Sequence, residues 1–206
     1  MESNVFKLSN AGGMSSRTRY WSMLAGNTTW VPFTPSGSFE SIATVTVGAG
    51  GSATIDFTSI ASTYQHLQIR VIARDTYAAS DTDFSLMRFN SDSSSNYARH
   101  YLYGNGSSAA AGGASSVTSS YAALSAHGNS LASTFAGSVI DILDYASTSK
   151  YKTIRVLGGV DFNGSGQVHL ASSLWQSTNA ITSISIFPNP SSNFAQYSVA
   201  ALYGVK

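Results

Sequence analysis

The sequence predicts an all-β protein, a jelly-roll-like antiparallel β-sandwich of about 8–10 strands with an extended N-terminal arm. Three observations predict it. From Phe39 onward, period-2 or apolar runs rich in Val, Ile, Phe and Tyr recur along the chain. Clusters of Gly, Ser, Asn and Asp separate these runs at intervals of about 8–14 residues. No window pairs a 3.6-residue period with good helix formers, except Ser119–Ala126, where Gly128 and Asn129 stop the pattern. A length of 206 residues accommodates one sandwich and an extension, and is short for two independent cores.

The arm comprises residues 1–38 and the sandwich residues 39–206. Asn10-Ala11-Gly12-Gly13-Met14-Ser15-Ser16 is flexible by composition. Arg17, Arg19, Tyr20 and Trp21 then form a dense cluster, followed by Trp30 and Phe33. This stretch holds two of the three tryptophans and has no strand or helix periodicity, so its aromatics cannot be buried against one another. They need another surface, either the sandwich's flank or a partner, and these six residues are the candidate anchors to it. Pro32 and Pro35 read as a semi-rigid connector.

Strands are expected near 41–47, 53–57, 67–74, 85–90, 98–103, 135–143, 153–159, 168–174, 181–187 and 197–203. Gly48-Ala49-Gly50-Gly51 and Asn163-Gly164-Ser165-Gly166 are hairpin-turn candidates, because Gly and Asn tolerate positive φ. Asn90–Asn96 reads as a third hairpin loop. The small-residue stretch Gly104–Ser120 reads as a featureless loop, either mobile or pressed against a neighbouring chain.

Charged residues make up 10% of the chain and the formal net charge is +1. A Ser/Thr/Gly/Ala surface packs against copies of itself with little charge to desolvate and little rotamer entropy to lose. It also gives weak mutual repulsion between free monomers. The composition thus points to a protein that works inside an assembly. The eleven Lys and Arg are scattered, without the clustering that neutralises phosphates, so no nucleic-acid partner is expected. Without cysteine there is no disulfide framework or thiolate metal site. The first residues lack the pattern of a signal peptide, and no apolar run reaches membrane-spanning length, so cytoplasmic synthesis without membrane insertion is expected.

Catalytic and metal sites are not expected, and no cofactor is implied. His66, His100, His127 and His169 show no ligand spacing, and His66 and His169 read as residues of a strand face at a sheet or subunit contact. Asp141 and Asp144 stand three apart, on opposite faces of a strand, which is wrong for paired carboxylates. Asn90–Asn96 lacks the Gly and terminal Glu of a calcium loop. Arg70, Arg74, Arg88 and Arg99 lie near Asp75, Asp81, Asp83 and Asp92, and such pairs would fix loops or bridge subunits. Tyr97, Tyr101 and Tyr103 share one parity, hence one face of a strand. Exposed, they would be a platform for sugars or a protein; buried in the core or a subunit contact is the commoner fate of such a row.

Three blocks carry a resemblance. They are Phe57-Thr58-Ser59-Ile60 with Tyr64–Arg70 and Ala73-Arg74; Arg88–Asp92 with Asn96–His100 and Leu102-Tyr103-Gly104; and Ser198-Val199-Ala200 with Leu202–Lys206. With the stretch Arg17–Asn27, they resemble structural proteins, often called tail-fibre-like, of phages of cyanobacteria and other aquatic bacteria. The resemblance implies a place in the virion and a homotrimer or other symmetric assembly, bound to tail, neck or major capsid protein. A short fibre-type appendage that contacts host surface glycans and a capsid decoration (cement) protein both fit. A carbohydrate-active enzyme is the minor alternative, and the scarcity of paired acids speaks against it.

Overall fold

The computed structural model describes residues 5–7, 20–23, 30–33, 38–189 and 192–206. The chain divides into two units, Met1–Ser38 and Phe39–Lys206. In the first, β1 (Val5–Lys7), β2 (Tyr20–Met23) and β3 (Trp30–Phe33) form an antiparallel sheet in the order β1-β2-β3. Short strands therefore stand where the sequence shows no strand periodicity. Pairing of such short strands is set by partners along the sheet, which a single-strand pattern does not record.

The second unit is all-β and antiparallel, with two sheets arranged as a sandwich. It contains β4 (Phe39–Thr46), β5 (Ile55–Phe57), β6 (His66–Ala73), β7 (Thr82–Phe89), β8 (Tyr97–Gly104) and β9 (Ala109–Val117). There follow β10 (Ser120–Ala126), β11 (Ala136–Leu143), β12 (Lys152–Asp161), β13 (Gly166–Trp175), β14 (Ile184–Phe187) and β15 (Val199–Val205). One sheet has eight strands in the order β4-β15-β6-β11-β12-β13-β8-β9, the other four in the order β10-β7-β14-β5. The chain switches sheets repeatedly, as jelly-roll-like folds do.

Four expectations need correction. The stretch Gly104–Ser120 is mostly strand: β9 pairs along β8 as an edge. Glycine fits at two of its positions, since a Cβ at Gly112 would run into the Tyr101 ring and one at Gly113 into His100. The stretch Ser119–Ala126 is β10, buried on both sides, so no alternation marks it. The turns after β4 and β7 are not hairpins: β4 pairs with β15 and β5 with β14, while β7 and β8 lie in different sheets. The Arg–Asp pairs do not form. Arg74 serves carbonyls, Arg88 bonds the Thr118 carbonyl and lies over the Phe187 ring, Arg99 lies over Tyr121 and Arg70 over Tyr203. The β12–β13 hairpin does close on Asn163-Gly164, both at positive φ, with the Phe162 amide donating to the Ser165 carbonyl.

The core lies between the sheets. Trp175, Tyr97 and Phe89 pack with ring centroids 5.4–6.3 Å apart. Such aromatic pairs contribute about 0.5–1.5 kcal/mol beyond area burial. Asp92 anchors this cluster. Its carboxylate accepts from Trp175 Nε1 (2.8 Å), Asn96 Nδ2 (2.8 Å) and the Ser94 amide (2.9 Å). Burial alone would raise this carboxyl, but those donors outweigh it and hold it at about 2. The Asn90–Asn96 segment is thus a structural clasp between the sheets. Lys152, fully buried, extends its Nζ to the carbonyls of Ser147 (2.7 Å) and Lys150 (2.9 Å).

Candidate functional site

The parity of the long strands decides what faces outward. Along β13, His169, Ala171, Ser173 and Trp175 point into the core, and Val168, Leu170 and Ser172 point out. Along β12, Ile154 and Val156 point in and Arg155 and Leu157 out. The indole of Trp175 is too large to leave outside, so its burial forces apolar side chains of the same strand into solvent.

Register then aligns these residues across the eight-stranded sheet. One cross-strand row runs Ala201–Arg70–Val139–Leu157–Leu170–Leu102. The adjacent row runs Val199–Ile72–Gly137–Gly159–Val168–Gly104. Ile72, Leu102, Leu157, Val168 and Leu170 are each more than half exposed. With strands about 4.8 Å apart and same-face residues about 6.8 Å apart, the two rows cover about 400 Å² over six strands. A patch of that size on a folded domain commonly marks an interaction site. The first row forms a ridge. The second, broken by glycines between the exposed Ile72 and Val168, forms an interrupted trough, and residues of both rows, among them Arg70, Gly137, Val139, Leu157, Gly159 and Val168, line a depression of about 650 Å³.

A third row borders the ridge and is polar: Tyr203–Gln68–Asp141–Arg155–Ser172–His100. Asp141 accepts from Gln68 Nε2 (3.0 Å) and pairs with Arg155 (3.3 Å). At the far end of its strand Asp144 pairs with Lys150, which is the main cause that holds its carboxyl below the usual range. Both aspartates are thus engaged within their own chain.

The tyrosine row faces inward. Tyr97 is fully buried, its hydroxyl donating to the Asp92 carbonyl and accepting from the Phe89 amide, which removes it from any surface platform. Its parity follows from Trp175, the partner across the β8–β13 ladder. Tyr101 and Tyr103, half-buried, share this face and stack on each other with centroids 6.1 Å apart. Of the arm residues, Tyr20 and Trp21 fall in β2, and Trp30 and Phe33 in β3, with side chains outside the described part. Arg17 and Arg19 lie outside the described residues.

No protein-family model, curated protein or solved structure matches the chain.

Two histidines are buried: His169, which the sequence places on a strand face at a sheet or subunit contact, and His127, for which it shows no ligand spacing. His169 packs edge-on to Phe84 (4.7 Å) and stacks on Tyr103 (5.1 Å); burial pushes its imidazole down to about 4. Among the loops, the fully buried His127 lies between Ser80 and Asp75: Nδ1 is 2.8 Å from Ser80 Oγ, and Nε2 is 3.5 Å from Asp75 Oδ2. Burial raises the Asp75 carboxyl, with His127 opposing, and burial also raises Asp83 nearby. The same region holds Arg74, whose guanidinium donates to the carbonyls of Gly128, Ser130, Leu131 and Thr134. Ser80, His127 and Asp75 occupy the order of a hydrolytic triad, yet Nδ1 also sits 3.1 Å from the Ser80 carbonyl. An imidazole shared in this way ties segment 75–81 to segment 126–128. That tie is continued by the Gly128 amide on the Tyr77 carbonyl and the His127 amide on the Asp81 carbonyl. Among the described residues, no group of three or more His, Asp or Glu is placed to hold a metal.

Proposed function

We propose that the chain is a non-enzymatic structural protein of a phage particle that works by broad sheet-face contact. The observation that carries this reading is the apolar outer face of the eight-stranded sheet, where ridge and trough stand side by side with Arg70 as their charged member. A face of this kind gains free energy by being covered, at about 25 cal/mol per Å² of apolar surface. The low overall charge acts in the same direction, and the resemblance to phage structural proteins supplies the place. The assembly is symmetric and self-made, docked to tail or neck by the N-terminal unit as a short fibre-type appendage, with host surface glycans as an outward partner.

The test is incorporation. Purified particles are analysed by mass spectrometry after complementation with the wild-type chain or with Leu157→Asp, which places a charge on the ridge at a site more than half exposed in the single chain. Wild-type incorporation with loss of the variant is expected. Absence of the wild-type chain from the particle would overturn the reading. Location on the capsid lattice instead of the tail or neck would replace the appendage by a decoration protein.

A further inference from the structure

Glycine inside a strand costs stability, so three of them in one cross-strand row call for a cause. At Gly158 the cause is internal: a Cβ there would press on Ser138 and Leu124. Gly137, Gly159 and Gly104 are different. A Cβ on Gly137 would meet nothing within 4 Å, one on Gly159 would make ordinary contacts from 3.4 Å, and one on Gly104 would approach a single atom at 4.0 Å. None of the three has a φ in the left-handed region. Neither packing nor backbone conformation within this chain excludes a side chain at these positions. Close approach from outside is one recognised reason for glycine in a strand, and it is the one these open positions admit.

The ridge has the dimensions of what would approach. In β11 the ridge residue Val139 stands two positions from Gly137; in β12 Leu157 stands two from Gly159; in β8 Leu102 stands two from Gly104. A two-fold axis lying in the plane of the face, between the rows, brings each ridge over the trough of the second copy. Val139 then lies over Gly137, Leu157 over Gly159 and Leu102 over Gly104, strand on like strand, while Ala201 meets Val199, Arg70 meets Ile72 and Leu170 meets Val168. Self-complementarity of this kind is what an isologous interface requires.

We infer that the outer face of the eight-stranded sheet pairs face to face with the same face of a second copy, ridge into trough, about a two-fold axis. This rests on the reading of the chain as a self-assembling structural protein and names the partner of that face. The area suffices. Eight strands about 4.8 Å apart and about four same-face residues per strand give about 1,000 Å² per copy, against the about 800 Å² that each partner buries in a standard stable interface. In the bordering row Asp141 and Arg155 are opposite in sign and already paired, while Arg70 on the face itself donates to Gln68 Oε1 and lies over the Tyr203 ring without a carboxylate partner. A sheet-to-sheet separation of about 10 Å, as in ordinary sandwiches, accommodates Leu and Val opposite Gly. A two-fold at this face coexists with a three-fold elsewhere in a closed dihedral assembly.

Native mass spectrometry and sedimentation equilibrium of the full chain test this. An even copy number is expected, two or six. Leu157→Asp should weaken the pairing by tenfold or more. Gly137→Val adds apolar surface in open space, so indiscriminate adhesion would be unchanged or stronger; ridge-in-trough packing requires it to weaken pairing. Exchanging the two residues, Gly137→Val with Val139→Gly, should restore much of the association. Circular dichroism of each variant establishes that the sandwich has folded. A monomer, an odd copy number, or undiminished pairing by Gly137→Val overturns the inference. If the chain is found in particles while the purified protein is odd-numbered, the pairing fails and the structural role stands. If the pairing holds and particles lack the chain, the reverse is true.

Discussion

Lowering the pH should destabilise this protein through one residue in a way that a single substitution removes. His169 is enclosed by Phe84 and Tyr103, with Gln167 Oε1 2.6 Å from its Nε2, and burial depresses its imidazole from 6.5 to about 4. Because the folded value lies below the unfolded one, the contribution is complete above about pH 6.5 and is lost as the pH falls to about 4. The gap of about 2.5, at about 1.4 kcal/mol per pH unit, corresponds to about 3 kcal/mol at full effect, of which about 2 kcal/mol is lost between pH 7 and about pH 4.5. For a domain of this size that amounts to about 4–8 °C in melting temperature. Urea unfolding of the wild type and His169→Gln at both pH values measures the difference between their pH dependences. This comparison cancels the buried Asp75 and Asp83, whose raised values give the opposite sign: their contribution is present at low pH and is lost as the pH rises through the folded values. The substitution should lower stability at pH 7 and flatten the acid limb by about 2 kcal/mol. Equal acid loss in the two proteins would refute the placement of His169 as a neutral core residue.

The other predictions concern the loops that close the sandwich. Asp92→Asn should cost about 1–2 kcal/mol at pH 7, discounted for partial exposure, and the cost should vanish as the pH falls from about 4 towards 2, because the folded value is the lower one; denaturant melts at several pH values measure it. Arg74→Met should cost about 2–4 kcal/mol, since four loop carbonyls lose a charged donor, and hydrogen exchange should accelerate selectively over residues 128–134. Ser80→Ala should change stability by less than about 1 kcal/mol, and a fluorophosphonate probe should not label the wild type. Labelling of Ser80 would contradict the non-enzymatic reading.

Much of the sandwich was legible because its strands are bounded by turn residues, as in the Asn163-Gly164 hairpin. What was hidden has physical causes. The β10 strand is buried on both faces and so loses its period. The β9 strand is built of Ala, Gly and Ser, and at Gly112 and Gly113 the Tyr101 and His100 side chains occupy the space a Cβ would need. The outer face was hidden for a further reason. In Val168-His169-Leu170, the apolar residues suggest themselves as the inward set, and the burial of Trp175 reverses that parity. The signal lay in apolar residues of both parities along β11, β12 and β13, which a strand covered on both faces produces. The sheet switching after Gly48–Gly51 and Asn90–Asn96 depends on long-range pairing, which turn chemistry does not encode.

The central claim is that the outer face of the eight-stranded sheet is covered in the working assembly. Cryo-EM reconstruction of intact particles, beside particles lacking this chain, tests it most directly. The account predicts difference density at the tail or neck in which Leu157 and Leu170 are buried against protein. Difference density in which that face is open to solvent would contradict it.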